Sequence, residues 1–419
     1  MRMTVQLTAK KMANIKALAF ELLKGSATIA MLAQFVGKLV ATEPGFTYAP
    51  LHYKFIEIFK NEQLKFHRGN YDALVVIPEN ILVEIRWWHD GIEHLKRHII
   101  VPSPSHYITS DSSNTGWGGI INNEKTARGR WGSADFELHI NVKELTAAFF
   151  MLKTYCRDLT NVHIRIKMDN VTAISCVQKM ASRKYKLMCV TREMWQWARD
   201  RQIILSAEFI AGRLNHIADS ESRVIENTDT EWMLNTMVFD RLCENFGRPA
   251  IDLFATRINA QLTCYYAWRP DPDALAIDAF QQSWSHTFTY AFCPFSVIGR
   301  TLQKLRGETQ ATLLLVAPMW KTQLWWPTAL KMLMAPPLIL PRNCLVLPQS
   351  PDEKFPLKKM SMIAMLLSSD PSKRRDYRTD LCKFYPQDGD VTQISNIPLT
   401  SQNSVTFVSK GDIIVCKQI

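Results

Sequence analysis

The stretch Tyr107-Ile108-Thr109-Ser110-Asp111-Ser112-Ser113-Asn114-Thr115-Gly116-Trp117-Gly118-Gly119 reads as a strand, Tyr107 to Ser110, that delivers one carboxylate, Asp111, at its end. A polar turn follows, then Trp117 and two glycines. Gly118 to Ile121 and about Thr126 to Gly132 can continue as a meander with that strand. Working outward, three further acids occupy comparable places. Glu144 lies at a helix start, in Val142-Lys143-Glu144-Leu145. Asp169 ends a second strand, whose Ile164, Ile166 and Met168 alternate onto one face. Asp219 follows Asn215 by four residues at another helix start. Taken alone, Asp219 reads equally well as a helix N-cap.

Four carboxylates on separate elements suit divalent-metal chemistry. Hard cations such as Mg²⁺ or Mn²⁺ take oxygen ligands. Two such ions about 4 Å apart can activate a water and stabilise the leaving oxygen of a phosphodiester. Carboxylates packed so closely repel one another until cations are bound.

The order strand-Asp, helix-Glu, strand-Asp, helix-Asp resembles a type 1 ribonuclease H domain of the kind carried by retroelement reverse transcriptases. The resemblance covers residues 105–228. It implies a mixed five-stranded sheet with helices and two Mg²⁺ (or Mn²⁺) ions. It places Asp111, Glu144, Asp169 and Asp219 on the catalytic, metal-binding carboxylates. Asn215 falls on the Asn that precedes the last Asp by four. The implied reaction is endonucleolytic hydrolysis of RNA in RNA–DNA hybrids. The cellular enzymes carry a His in the loop before the last Asp; here Ala211-Gly212-Arg213 fills that loop, and His216, which follows it, is not assigned that role. Lys143, Arg165, Lys167, Lys179, Arg183, Lys184 and Lys186 make the domain basic, as phosphate contact requires. Asn170, Arg183, Lys184, Arg213 and Asn215 are the candidate nucleic-acid contacts.

Composition agrees with a nucleic-acid partner. The 419 residues carry 50 basic and 39 acidic side chains, a net charge of +11, with an isoelectric point near 9.2. A basic excess favours phosphate-rich partners, the hybrid and DNA, but says nothing about fold. Hydrophobic residues make up 47%, enough for packed cores. The nine cysteines are scattered singly, which argues against a zinc ribbon or disulfide framework and for the cytoplasm or nucleus. No signal-peptide pattern is present. The most apolar run, Ala311 to Trp320, is too short for a bilayer, so no membrane association is expected.

Residues 1–104 read as helical. Helices are expected from Thr8, as cap, through Lys24, over Ile29 to Ala41, over Tyr53 to Phe66, and from Pro78 to about His98. Trp87 and Trp88 are expected in the core. The stretch Ser26 to Ala41, then Tyr48-Ala49-Pro50-Leu51-His52-Tyr53, Gly69 to Ala73 and Arg86-Trp87-Trp88, is similar to the thumb and connection of reverse transcriptases from DIRS-type, tyrosine-recombinase retrotransposons. That resemblance implies an upstream polymerase portion of the same polyprotein as partner. The polymerase signature Tyr-x-Asp-Asp is missing, and no adjacent Asp-Asp pair occurs. His94-Leu95-Lys96-Arg97 fits a recombinase His-x-x-Arg but sits at a basic helix end.

In the nuclease region Asn141 is expected to cap a helix from Val142 to about Cys156. Further helices are expected around Val171 to Val177 and over Lys184 to Arg201, then a strand over Ile203 to Ile210. Residues 229–340 alternate strand-like runs with helix candidates, so a smaller α/β domain is expected. This region resembles the adenine-N6 DNA methyltransferase module that DIRS-type elements carry. Phe292-Cys293-Pro294-Phe295 stands where the family places a polar residue, two prolines and an aromatic. No glycine-rich cofactor turn is apparent near Asp252, so a degenerate, non-methylating domain is expected. Residues 341–419, with Pro348, Pro351 and Pro356, are expected as an irregular connector or tail. The whole is a multidomain α/β chain. The alternative to a nuclease is a non-catalytic nucleic-acid-binding or structural relic of a retrotransposon.

Overall fold

The computed structural model describes residues 4–98, 102–224, 231–348, 353, 355–356, 360–384, 405–409 and 412–418. Side chains are described for these residues except 98, 380–384, 405–409, 412–415 and 417–418. The chain forms two compact units, residues 1–130 with 134–224, and residues 131–133 with 225–419.

Unit 1 begins with four helices, α1 (Ala9–Leu22), α2 (Ile29–Val40), α3 (Ala49–Phe66) and α4 (Glu79–Gly91). The apolar face of α2, Leu32, Phe35, Val36 and Leu39, is buried. Thr28 caps that helix by accepting from the Met31 amide at 3.3 Å. Thr8 occupies the N-cap of α1 but makes no side-chain cap bond. Helix α3 starts four residues before the expected Tyr53, because Pro50 lies in the first turn, where its missing N–H costs nothing. Helix α4 stops at Gly91 rather than near His98. Asp90 and Gly91 are poor helix formers, and the chain turns through Ile92–His94 into a two-residue strand, Arg97–His98, paired with Thr4–Val5. Trp88 is fully buried, and its indole N–H donates to the His52 carbonyl at 3.0 Å.

The rest of unit 1 is built on a mixed five-stranded sheet of β1 (His106–Ser112), β2 (Gly116–Ile121), β3 (Lys125–Arg130), β4 (His163–Met168) and β5 (Ile204–Phe209), in the order β3-β2-β1-β4-β5. Strands β1 to β3 form the antiparallel meander; β4 and β5 run parallel to β1. Helices α5 (Ile140–Tyr155), α6 (Val171–Lys179), α7 (Tyr185–Asp200) and α8 (His216–Arg223) complete it. His139, not Asn141, caps α5, its ring nitrogen accepting from the Asn141 amide. The Asn141 side chain instead accepts from Asn170 at 3.0 Å.

Glycines set how closely α5 and α8 approach. A β-carbon on Gly118 would lie 2.5 Å from the Ser222 amide nitrogen of α8, and one on Gly119 would lie 2.8 Å from the Met151 side chain of α5. Successive strand residues face opposite sides, so this pair admits one helix on each face.

The four N-terminal helices are fastened to α7. The buried Glu84 carboxylate accepts from Arg192, and Arg199 donates to His52 Nε2 at 3.0 Å. The Arg199 guanidinium also lies 4.9 Å over the Tyr48 ring, and Tyr48 meets Trp195 edge-on. Because Arg199 can only donate, His52 Nε2 is the acceptor, and the ring proton sits on Nδ1, 4.0 Å from Glu84.

Unit 2 contains a seven-stranded sheet: β6 (Ile251–Asp252), β7 (Phe288–Ala291), β8 (Thr312–Pro318), β9 (Leu338–Ile339), β10 (Met362–Ser368), β11 (Val405–Ser409) and β12 (Asp412–Gln418). Their order is β6-β7-β8-β10-β9-β12-β11. The irregular tail expected after residue 340 is therefore corrected where the chain is described, while residues 385–404 of that tail lie outside the described residues. Strand β10 lies at the middle of the sheet, antiparallel to β8 over seven residue pairs. Every residue of β10 is buried, a run that pairs on both edges and both faces. On β8, Leu313, Leu315 and Ala317 join a core with α10 (Ile298–Gly307), while Leu314 and Val316 join one with α9 (Thr236–Phe246). Helices thus cover both faces of this sheet, as expected for an α/β layer.

Candidate active site

The parallel pairing of β1 and β4 builds the site. Thr109 lies opposite Lys167, so two residues further the same register brings Asp111 level with Asp169. Helix α5 adds Glu144 from its second turn. One oxygen from each of Asp111, Glu144 and Asp169 can lie within 4.8 Å of the others, a grouping that could hold a metal ion. Asp111 and Glu144 are each only 5% exposed. Burial, opposed by a hydrogen bond from Ser222 and reinforced by the charges of Asp169 and Asp219, pushes the Asp111 carboxyl up to about 6. Burial, then the charges of Asp111 and Asp169, pushes Glu144 up to about 8. One Glu144 oxygen, Oε2, is buried with no hydrogen-bond partner.

Asp219 stands apart from this trio. Its Oδ1 accepts from Arg223 one turn on, at 2.7 Å. Asn215 is buried, and its Nδ2 donates to Asp111 Oδ1 at 3.2 Å. Its Oδ1 is buried and unpartnered.

The candidate nucleic-acid contacts differ in availability. Arg183, Lys184 and Arg213 are exposed. Arg213 belongs to the short turn Gly212–Leu214, where a β-carbon on Gly212 would lie 3.5 Å from Asp169 Oδ2. Asn170 is turned inward: its Oδ1 caps α6 through the Ala173 amide, and its Nδ2 donates to Asn141. His216 is exposed at the start of α8.

Ser222 escaped the sequence reading. Its hydroxyl donates to Asp111 Oδ2 at 2.8 Å. The available signal was spacing: Asn215, Asp219 and Ser222 stand four and three residues apart, the interval that aligns side chains on one helix face.

No protein-family model matches the chain, and no curated protein matches it significantly. Among solved structures, it is similar to LC11-RNase H1 in complex with RNA/DNA hybrid, at 18% identity over 28% of this chain and 91% of that one, with a TM-score of 0.24. RNase H1 from the halophilic archaeon Halobacterium salinarum NRC-1 matches over the same shares at 13% identity, TM-score 0.24. The foamy viral protease-reverse transcriptase in complex with RNA/DNA hybrid matches over 55% of this chain and 31% of that one, at 13% identity and a TM-score of 0.20. Among the described residues no helix is long and apolar enough to cross a membrane.

Proposed function

We propose that the nuclease-like part of unit 1 is a divalent-metal-dependent ribonuclease that cuts RNA in RNA–DNA hybrids. The observation that carries this is the trio Asp111, Glu144 and Asp169, three acids from three elements with oxygens within 4.8 Å. A fold gains nothing from holding buried carboxylates together unless cations complete the site. The unpartnered Oε2 of Glu144 and the upward displacement of its pKa fit Mg²⁺ or Mn²⁺ ligation. When bound, the ions would lower the pKa of a water and stabilise the leaving oxygen.

The chain's own residues do the rest. Asp111, Glu144 and Asp169 offer the central oxygens. Asp219, at the edge, completes the set when Arg223 releases it. Asn215 orients Asp111. Arg183, Lys184 and Arg213 are free to meet phosphates of the hybrid, and discrimination for RNA comes from 2′-hydroxyl contacts and hybrid shape. The inward bonds of Asn170 make it a support of α5 and α6. Action in the cytoplasm or nucleus, next to an upstream polymerase portion of a DIRS-type polyprotein, fits this activity.

We further propose that unit 2 is a methyltransferase-like remnant that transfers no methyl group. Both oxygens of the buried Asp252 are occupied, accepting from the Phe254 and Gln261 amides at 3.3 and 3.1 Å. The adjoining cavity, lined by Trp232, Asp252, Tyr290 and Phe292 among others, measures about 10 Å³, room for a single water.

The deciding experiment is incubation of the protein with an end-labelled RNA–DNA hybrid and Mg²⁺ or Mn²⁺. Internal cuts in the RNA strand, abolished by chelator, are expected. No cleavage by a chain with an intact circular dichroism spectrum would leave a non-catalytic relic as the better account.

A further inference from the structure

We propose that Ser222 is a positioning residue for Asp111, so that α8 holds the central carboxylate as well as contributing Asp219. The proposal rests on the metal-dependent function proposed above. Both oxygens of Asp111 are taken from this one segment. Asn215 Nδ2 donates to Oδ1 at 3.2 Å, and Ser222 Oγ donates to Oδ2 at 2.8 Å. The Ser222 hydroxyl has one proton and a second acceptor in reach, the Asp219 carbonyl at 2.9 Å. A carboxylate is the stronger acceptor of the two.

Ser222 is itself fixed. It is 2% exposed. Its carbonyl accepts from Ser113 Oγ at 2.7 Å, on the turn that follows β1. Its amide nitrogen lies against Gly118, where a β-carbon would come within 2.5 Å. Gly118 is the residue opposite Asp111 across β1 and β2, so the two share one sheet face. The glycine thus lets α8 come close enough for a short hydroxyl to reach the carboxylate. A longer donor would not fit, and a strand without that glycine would hold the helix off. Ser222 touches neither substrate nor reacting atoms. Its effect passes through the orientation of Asp111, whose remaining lone pairs it aims at the trio.

Partners that orient a metal-ligating side chain are worth about tenfold or more in metal affinity. Calorimetric titration of the full chain with Mn²⁺, without nucleic acid, reads this directly. S222A is expected to weaken Mn²⁺ binding about tenfold and to lower kcat while leaving KM for the hybrid unchanged. S222C, with similar shape and a weak donor, falls between. E221Q supplies the control. It breaks the ion pair between Glu221 of the same helix and Arg128 of β3 without touching Asp111, and is expected to leave Mn²⁺ affinity as in the wild type. Wild-type Mn²⁺ affinity in S222A, or equal weakening in E221Q, overturns the proposal. If the wild type binds Mn²⁺ in a Ser222-dependent way but cuts no hybrid, the positioning role stands and the nuclease function falls. If the wild type binds no Mn²⁺, both fall.

Discussion

Replacing Glu144 with Gln in metal-free protein isolates the electrostatic cost of the site. The Glu144 carboxyl has an ordinary value of 4.5 and is pushed to about 8 in the folded chain. The folded state therefore holds a proton that the unfolded state has released between those values. Stability falls wherever the folded state binds more protons and pH rises. The penalty is absent below about 4.5, grows through the interval, and is complete above about 8. Each pH unit costs up to about 1.4 kcal/mol, so the total is on the order of 4–5 kcal/mol. In a unit of this size 1 kcal/mol moves Tm by about 2–4 °C. Thermal unfolding in chelator at pH 5, 6.5 and 8 checks the expectation. Wild type should lose about 10 °C relative to Glu144→Gln between pH 5 and pH 8, the two being nearly equal at pH 5. Adding Mn²⁺ at pH 8 should restore the wild type and leave Glu144→Gln unmoved. If the two proteins keep parallel Tm values across this range, burial and the neighbouring charges do not penalise the Glu144 carboxylate, and the trio has no need of a cation.

The other carboxylates separate by position: Asp111→Asn and Asp169→Asn should abolish hybrid cleavage, whereas Asp219→Asn, at the edge beside Arg223, should retain measurable turnover in the same gel assay. Gly118→Ala puts a methyl group 2.5 Å from the Ser222 amide; it should push α8 off the sheet and destabilise unit 1 by about 1–3 kcal/mol in a urea titration, as overpacking does. Glu84→Ala leaves Arg192 without its buried acceptor and should cost about 3 kcal/mol by the same titration; an unchanged midpoint would mean the helices are not fastened to α7 through that pair. Calorimetric titration of the full chain with S-adenosylmethionine should show no heat at micromolar concentrations, and a dissociation constant near 1 µM would restore a second activity to unit 2.

Much of this protein is legible along the chain. Alternation in Ile164, Ile166 and Met168, the Trp-Gly-Gly after Asp111, and the four acids at element ends each have a local physical cause: the two-residue period of a strand, or the start of a helix. The mixed five-stranded sheet is what the resemblance of their order to a ribonuclease H domain implies. Other features had no local cause. Asn141 looks like a helix cap, yet His139 takes that place and Asn141 pairs with Asn170, 29 residues away. Met362 to Ser368 follows a proline-rich stretch and reads as part of an extended connector, but it is the central strand of unit 2, because its pairing partner on β8 lies some fifty residues earlier. Sequence by itself determined which elements carry Asp111, Glu144, Asp169 and Asp219. Tertiary structure alone decided that three of them share a 4.8 Å cluster while Arg223 holds the fourth, and that Ser222 grips Asp111. Strand register and the close approach of α8 at Gly118 set those distances, and both depend on contacts between residues far apart in the chain.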